Sequence, residues 1–157
     1  MPNIGPCLWF DNQALDAANF YVSVFKNSRV VKTTYYVEGL PKPAGSVMTV
    51  EFVLDGERFV ALNGGPQFKF SPAVSFIAQC DTQEEVDGLW RKLSEGGEEG
   101  QCGWLTDRYG VSWQVVPKAL MEMFSGSNIA ASQRAVAAML KMKKLEMSVL
   151  RRAYDGE

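Results

Sequence analysis

Three kinds of side chain in this sequence have chemistry to offer: a glutamine inside an apolar strand, a glutamate on a strand's polar side, and three thiols. Gln114 stands between Trp113 and Val115 in the run Val111-Ser112-Trp113-Gln114-Val115-Val116. Alternation along a strand turns it away from the face that Trp113 occupies. A buried amide must find hydrogen-bond partners. Gln114 therefore either bonds neighbouring backbone and water, or orients a bound carbonyl or hydroxyl. Glu51 lies in the alternating run Ser46 to Leu54, on the side of Val47, Thr49 and Val53 and opposite Met48, Val50, Phe52 and Leu54. A carboxylate turned into a cavity acts as a general base when burial raises its pKa. It can equally face solvent, or pair with Arg58 on the next strand. Cys7, Cys80 and Cys102 are odd in number and follow no pairing or metal spacing. Cys7 and Cys80 sit in apolar runs, which predicts reduced, buried thiols. Cys102 precedes Gly103-Trp104 and reads as structural, because no histidine is present to activate it.

That last absence is general: the 157 residues contain no histidine. Histidine is the commonest metal ligand and the usual general base near neutral pH. Ser-His-Asp and Cys-His triads, HExxH zinc sites and two-histidine iron sites are excluded together. The formal net charge is −2 and no long basic run exists, so a nucleic-acid partner is not expected. Lys141, Lys143 and Lys144 with Arg151 and Arg152 read as a solvated helix face beside Glu146 and Asp155. No apolar run reaches membrane-spanning length, and Met1 to Gly5 lacks signal-peptide features. The expectation is a soluble cytoplasmic protein. At 46% hydrophobic and 22% charged residues, the chain reads as a single globular domain over 1–157.

The elements that must carry these side chains appear in a repeated order. Gly5 to Phe10 predicts a strand. Asp11 or Asn12 can cap a helix bearing Ala14, Ala17, Ala18, Tyr21, Val22 and Phe25 at helical spacing. Arg29 to Val37 and Ser46 to Leu54 predict strands around a proline-containing loop. Asp55-Gly56 is a hairpin turn into Glu57 to Leu62. Asn63-Gly64-Gly65-Pro66 ends that strand, and could also form a pocket rim. The order then restarts: a strand over Ala73 to Cys80, and a helix from Asp81 or Thr82 that carries Val86, Leu89, Trp90 and Leu93. Gly96-Gly97 stops it. Two short strands follow between Glu98 and Asp107, then a Tyr109-Gly110 turn and the Gln114 strand ending at Pro117. Phe10-Asp11-Asn12-Gln13 leading to Phe20 resembles Cys80-Asp81-Thr82-Gln83 leading to Trp90 at the same spacing. The fold class is α+β: two βαβββ modules over 1–66 and 72–117, forming curled mixed sheets around a pocket, with C-terminal helices over 118–157.

These residues also carry a family likeness. Leu8-Trp9-Phe10-Asp11 with Phe20 to Phe25 resembles the opening of PhnB-like proteins. So do Ala61-Leu62-Asn63-Gly64-Gly65-Pro66, Cys102-Gly103-Trp104-Leu105, Asp107 to Pro117, and the tail Ala138 to Leu145. That family is commonly described as 3-demethylubiquinone-9 3-methyltransferase-like. It lies within the vicinal oxygen chelate superfamily of glyoxalases, bleomycin-resistance proteins and extradiol dioxygenases. The resemblance implies paired modules, a homodimer and, in metal-using members, a divalent ion on the concave face. Its ligands would come from the first strand of each module and the last strand of the second. At the last-strand position a Glu is replaced by Gln114. The first-strand positions fall among Pro6, Cys7 and Leu8, and near Ala73 to Phe76, where Ser75 is the polar choice. No such combination holds a divalent metal well, because neutral donors predominate; Glu51 would be needed to complete one.

The reading is therefore a small-molecule binder with a metal-free pocket and no cofactor. Leu8, Phe10, Glu51, Asn63, Ser75, Trp104 and Gln114 are the candidate ligand contacts, and catalytic residues are not assigned. A bleomycin-resistance-like sequestering protein and a metal-dependent lyase, isomerase or dioxygenase are the alternatives. Literal methyl transfer is not expected. The usual S-adenosylmethionine fold puts a glycine-rich loop between strand and helix. Here Gly64-Gly65 precedes a linker and Gly96-Gly97 follows a helix.

Overall fold

The computed structural model describes residues 2–157. They form two compact units, residues 2–70 and 71–157. Each contains a four-stranded mixed sheet.

The first unit runs β1 (Cys7–Phe10), α1 (Ala14–Val24), β2 (Arg29–Tyr35), β3 (Val47–Leu54) and β4 (Glu57–Asn63), with sheet order β1-β4-β3-β2. β1 lies parallel to β4 and the other pairs are antiparallel. The Asp55-Gly56 turn has φ of 45° and 89°. Positive φ at both central residues is the twist a tight hairpin requires, and Asp-Gly supplies it at low cost. Register then decides the faces. Val50 opposes Ala61, Phe52 opposes Phe59, and Leu8 lies beside Ala61. All of these are buried, as are Ala14, Ala17, Ala18, Tyr21 and Val24 of α1. The Tyr21 ring stacks on Phe52 with centroids 6.2 Å apart. Full burial of one such aromatic contributes about 1.5–3 kcal/mol.

The start of α1 is capped from a distance. Gln13 occupies the cap position without a side-chain bond, and neither Asp11 nor Asn12 takes that place. Instead the buried amide of Asn63 accepts from Ala14 N at 2.8 Å and donates to Val47 O at 3.1 Å. The Tyr36 hydroxyl donates to the Asn63 carbonyl. One side chain thus ties a helix start, the opening of β3 and the end of β4. Just beyond it, the Trp9 ring lies flat on Gly64, where a Cβ would fall 2.3 Å from the ring.

The second unit runs β5 (Ser75–Cys80), α2 (Gln83–Ser94), β6 (Glu98–Glu99), β7 (Trp104–Thr106), β8 (Ser112–Pro117), α3 (Lys118–Ser125), α4 (Ile129–Met139) and α5 (Met147–Asp155), with sheet order β5-β8-β7-β6. The α2 start is capped as the sequence suggests. Thr82 Oγ1 accepts from Glu85 N, and the Glu85 carboxylate accepts from Asp81 N. Val86, Trp90 and Leu93 of α2 are buried, together with Ala78, Cys80, Leu105, Trp113 and Val115 of the sheet.

The C-terminal region departs from the helix face expected for its lysines. Residues 140–146 are not helical, so Lys141, Lys143 and Lys144 lie on a connecting segment rather than a helix face. The reason is competition for backbone groups. Cys102 and Gly103 donate to the carbonyls of Met142 and Lys143, each at 2.8 Å. The Gln83 amide donates to Leu145 O at 3.1 Å and accepts from Met147 N at 2.7 Å. Lys144 pairs with Asp87 at 2.6 Å and with Glu146 at 3.2 Å. These partners replace helical hydrogen bonds, and Leu145 drops into a core with Leu120, Met123, Ala135 and Leu150.

Asn63→Ala leaves the buried Ala14 N–H without a partner. We expect a loss of about 2–3 kcal/mol in denaturant unfolding. A loss below about 0.5 kcal/mol would show that the distal cap is not a structural tie.

Candidate functional site

Each sheet has one face turned towards its helix and one turned away, and the latter carries the unexplained polar residues. In the second unit, register places Trp104, Gln114 and Ile77 in one row across β7, β8 and β5. Thr106, Ser112 and Ser75 form the adjacent row. Gln114 Nε2 donates to Ser75 Oγ at 2.9 Å. Trp104, Gln114 and Ser75 are half-buried, and Ile77 is 53% exposed. Neither row contains a charged side chain. The result is an apolar strip of indole and isoleucine, interrupted by an amide and bordered by hydroxyls.

The facing of Gln114 is set by its hairpin. Asp107 is 2% exposed. Its Oδ1 accepts from Tyr109 N at 2.8 Å and from Val111 N at 3.0 Å, while Oδ2 accepts from Trp113 Nε1 at 2.9 Å. The carboxylate folds the Tyr109-Gly110 turn and fixes Trp113 on the helix side. The next residue, Gln114, must then point the other way.

In the first unit the face away from α1 carries Cys7, Val60, Glu51 and Lys32 in one row, and Trp9, Leu62, Thr49 and Thr34 in the next. The Glu51 carboxylate is paired with the Arg58 guanidinium, so it is held as an ion pair and not poised as a base. Thr34 and Thr49 share a hydrogen bond between their hydroxyls.

The seven sequence candidates therefore separate. Ser75, Trp104 and Gln114 come together on one face. Glu51 lies on the corresponding face of the first unit, paired with Arg58. Leu8 and Phe10 are 6% and 3% exposed and belong to the core beside α1. The period of two turns Cys7 and Trp9, not their neighbours, to the open side. Asn63 is a structural tie. Ile77, Thr106 and Ser112 were missed, although alternation from Ser75, Trp104 and Gln114 identifies them. Cys7 is exposed, against the expectation of burial, whereas Cys80 is buried and Cys102 half-buried.

The donor set does not suit the divalent ion implied by the fold's metal-using members. Gln114 and Ser75 offer neutral oxygens, and such ions are held by imidazole, carboxylate or thiolate. Among the described residues no group of three or more cysteines, aspartates and glutamates is placed to hold a metal.

With this geometry in view, comparisons place the chain. A profile of the 3-demethylubiquinone-9 3-methyltransferase family matches residues 2–116. The chain belongs to this family. A PhnB protein from Bacillus cereus, described as a 3-demethylubiquinone-9 3-methyltransferase, is 34% identical with a TM-score of 0.68; the match spans 74% of this chain and 99% of that one. Protein PA1353 from Pseudomonas aeruginosa shares the fold at 22% identity and TM-score 0.62, over 74% of this chain and 98% of its own. The fosfomycin resistance protein FosX from Listeria monocytogenes shares it at 13% identity and TM-score 0.52, over 78% and 97%. No curated protein matches the chain. The family match ends just before α3, leaving α3 to α5 outside it. No helix among the described residues is long and apolar enough to cross a membrane.

Burial, with the Glu85 and Asp81 carboxylates adding to it, pushes the Cys80 thiol up to about 11. A raised pKa keeps this thiol protonated at neutral pH, and the thiolate is the nucleophile. Iodoacetamide at pH 8 should label exposed Cys7 well before Cys80. Cys80 should react only on unfolding or as the pH approaches 11. Labelling of Cys80 in the native state at a rate matching Cys7, read by peptide mass spectrometry, contradicts this placement.

Proposed function

We propose that the chain binds a small, uncharged organic molecule on the Ser75–Trp104–Gln114 face, without a metal. The observation that carries this reading is the Gln114–Ser75 hydrogen bond at the position where metal-using members place a liganding Glu. With its nitrogen committed to Ser75, the amide turns its oxygen to a ligand as an acceptor. The Ser75 hydroxyl remains able to donate. Trp104 and Ile77 supply apolar contact on either side, and binding sites combine such walls with a few placed polar groups. A ligand with a planar apolar body and a neighbouring donor and acceptor fits this chemistry. A charged ligand finds no countercharge in either row, and burying an unpaired charge costs far more than burying a neutral dipole.

The same composition favours binding over turnover. Neither row holds a group that titrates near neutral pH, so acid–base catalysis has no agent there. Sequestration of a ligand, as the resemblance to bleomycin-resistance proteins implied, is the form of activity we infer. The methyltransferase wording of the family description does not extend to this chain's activity in our reading. Two mixed sheets, with their glycine pairs after β4 and after α2, do not provide the strand–loop–helix that cradles a nucleotide-like cofactor. A homodimer is the assembly we propose, with a second copy covering exposed apolar residues such as Val74. Three free cysteines suit a reducing cytoplasm.

The test is a thermal-shift screen of uncharged aromatic amides and phenols, followed by affinity measurement on variants. Gln114→Ala and Ser75→Ala should each weaken the best ligand about three- to tenfold, the worth of one neutral hydrogen bond. Trp104→Ala should weaken it further. Unchanged affinity in all three variants sinks the proposal. Elemental analysis of protein purified without chelator addresses the metal separately: stoichiometric manganese, zinc or iron would overturn the metal-free reading.

A further inference from the structure

The Ser75–Trp104–Gln114 face is bordered on one side by hydroxyls and on the other by a helix. β5 alternates, so Ser75, Ile77 and Gln79 turn outward while Ala78 and Cys80 are buried. Gln79 lies opposite Val116, and the two make a further row beyond Ile77 and Gln114. Val116 is half-buried and packs on the core of Leu120, Met123, Ala135, Leu145 and Leu150. The chain passes from β8 into α3 without a linker, Pro117 ending one and Lys118 opening the other. Leu120 and Met123 are buried in that core, which leaves Met121 on another side of α3, 39% exposed. Gln79 Nε2 donates to Met121 Sδ at 2.8 Å. That contact sets the thioether beside an outward side chain of the sheet.

Resting on the reading that this face binds a small uncharged molecule, we propose that Met121 is its specificity-determining end wall and limits the occupant to a single aromatic ring. Strand geometry sets the limit. Successive outward residues on one strand stand about 6.6 Å apart. A ligand held at its polar end by Ser75 and Gln114 lays its first ring over the row of Ile77 and Trp104. Growth away from the hydroxyls then reaches Val116 and Gln79, one step further, where Met121 stands. A methionine alone makes a poor stop, because its unbranched side chain adapts to what it meets. The hydrogen bond from Gln79 removes part of that freedom, so Gln79 acts as a positioning residue and Met121 as the contact. Leu120 and Met123 anchor the helix behind the wall, which retreats only by opening the helical core. Met121 lies beyond the 2–116 match, so the limit is set by a residue outside the family profile.

The experiment compares benzamide with 4-phenylbenzamide on the full chain, by isothermal titration and by the resonances of isotope-labelled methionine methyls. Benzamide should bind with a dependence on Gln114 and shift the Met121 methyl, while the methyl of buried Met123 stays in place. 4-Phenylbenzamide should bind about tenfold more weakly, the cost of overfilling a bounded site. Met121→Ala, at an exposed helix position, should keep the fold and reverse that order. Met121→Leu, which keeps the bulk, should restore it. Gln79→Ala should narrow the difference and leave benzamide affinity unchanged. The same ligand order in wild type and Met121→Ala, with benzamide still dependent on Gln114, overturns the wall and leaves the binding face standing. Saturable binding of neither ligand, or binding indifferent to Gln114→Ala, sinks the binding face and the wall with it.

Discussion

The buried carboxylate of Asp107 is the interaction on which the second unit's arrangement depends. A carboxylate removed from water is stable only when donors surround it. Here two backbone amides of its own turn and the indole of Trp113 supply them. Satisfying that charge closes the hairpin between β7 and β8, the two strands of this sheet that pair on both sides. The register of β8 then propagates to Trp104 on one neighbour and to Ile77 and Ser75 on the other. The Ser75–Trp104–Gln114 face is thus a downstream consequence of an electrostatic requirement on the opposite side of the strand.

The two outward sheet faces have diverged in character although their frames match. Both sheets have the same order, with the module's first strand parallel to its last and the remaining pairs antiparallel. The first carries Lys32, Glu51 and Arg58; the second carries hydroxyls, an amide, an indole and an isoleucine. In the first, charge is consumed internally by the Glu51–Arg58 pair. In the second, polarity is left available and neutral. A shared backbone therefore supports two surfaces of different chemistry, as fold-level likeness allows.

Local chemistry was legible in the sequence, and distant partnerships were not. The Asp55-Gly56 and Tyr109-Gly110 turns, the Thr82 cap and the doubled element order all follow from neighbours within a few residues. The face of Gln114 also followed from alternation. The α1 cap did not, because the acceptor is Asn63, 49 residues away from Ala14 in sequence. The helix face read for Lys141, Lys143 and Lys144 did not hold, since sequence pattern records burial and charge and not hydrogen bonding. Only the amides of Cys102, Gly103 and Gln83 reveal why residues 140–146 leave the helix. Leu8 and Phe10 were placed by family position, and one residue of strand phase separates lining from core. Cys7 fell on the other side for the same reason.

The Gln83 clamp has a consequence for how the chain acquires its structure. Its amide reaches Leu145 and Met147, contacts spanning 62 and 64 residues. Closing such long loops is an entropic cost met late in folding. The segment that completes the second unit's core also leaves the ribosome after the sheet it packs on. Until it emerges, Gly103 and the first turn of α2 lack their partners, and the floor of the helical core is open to solvent. The first unit's own tie, Asn63 to Ala14, joins residues that emerge earlier and can form while synthesis continues. The nascent protein therefore has a half-built interval in which the second unit's sheet awaits the segment after α4, and that is when a holding chaperone would find most to bind.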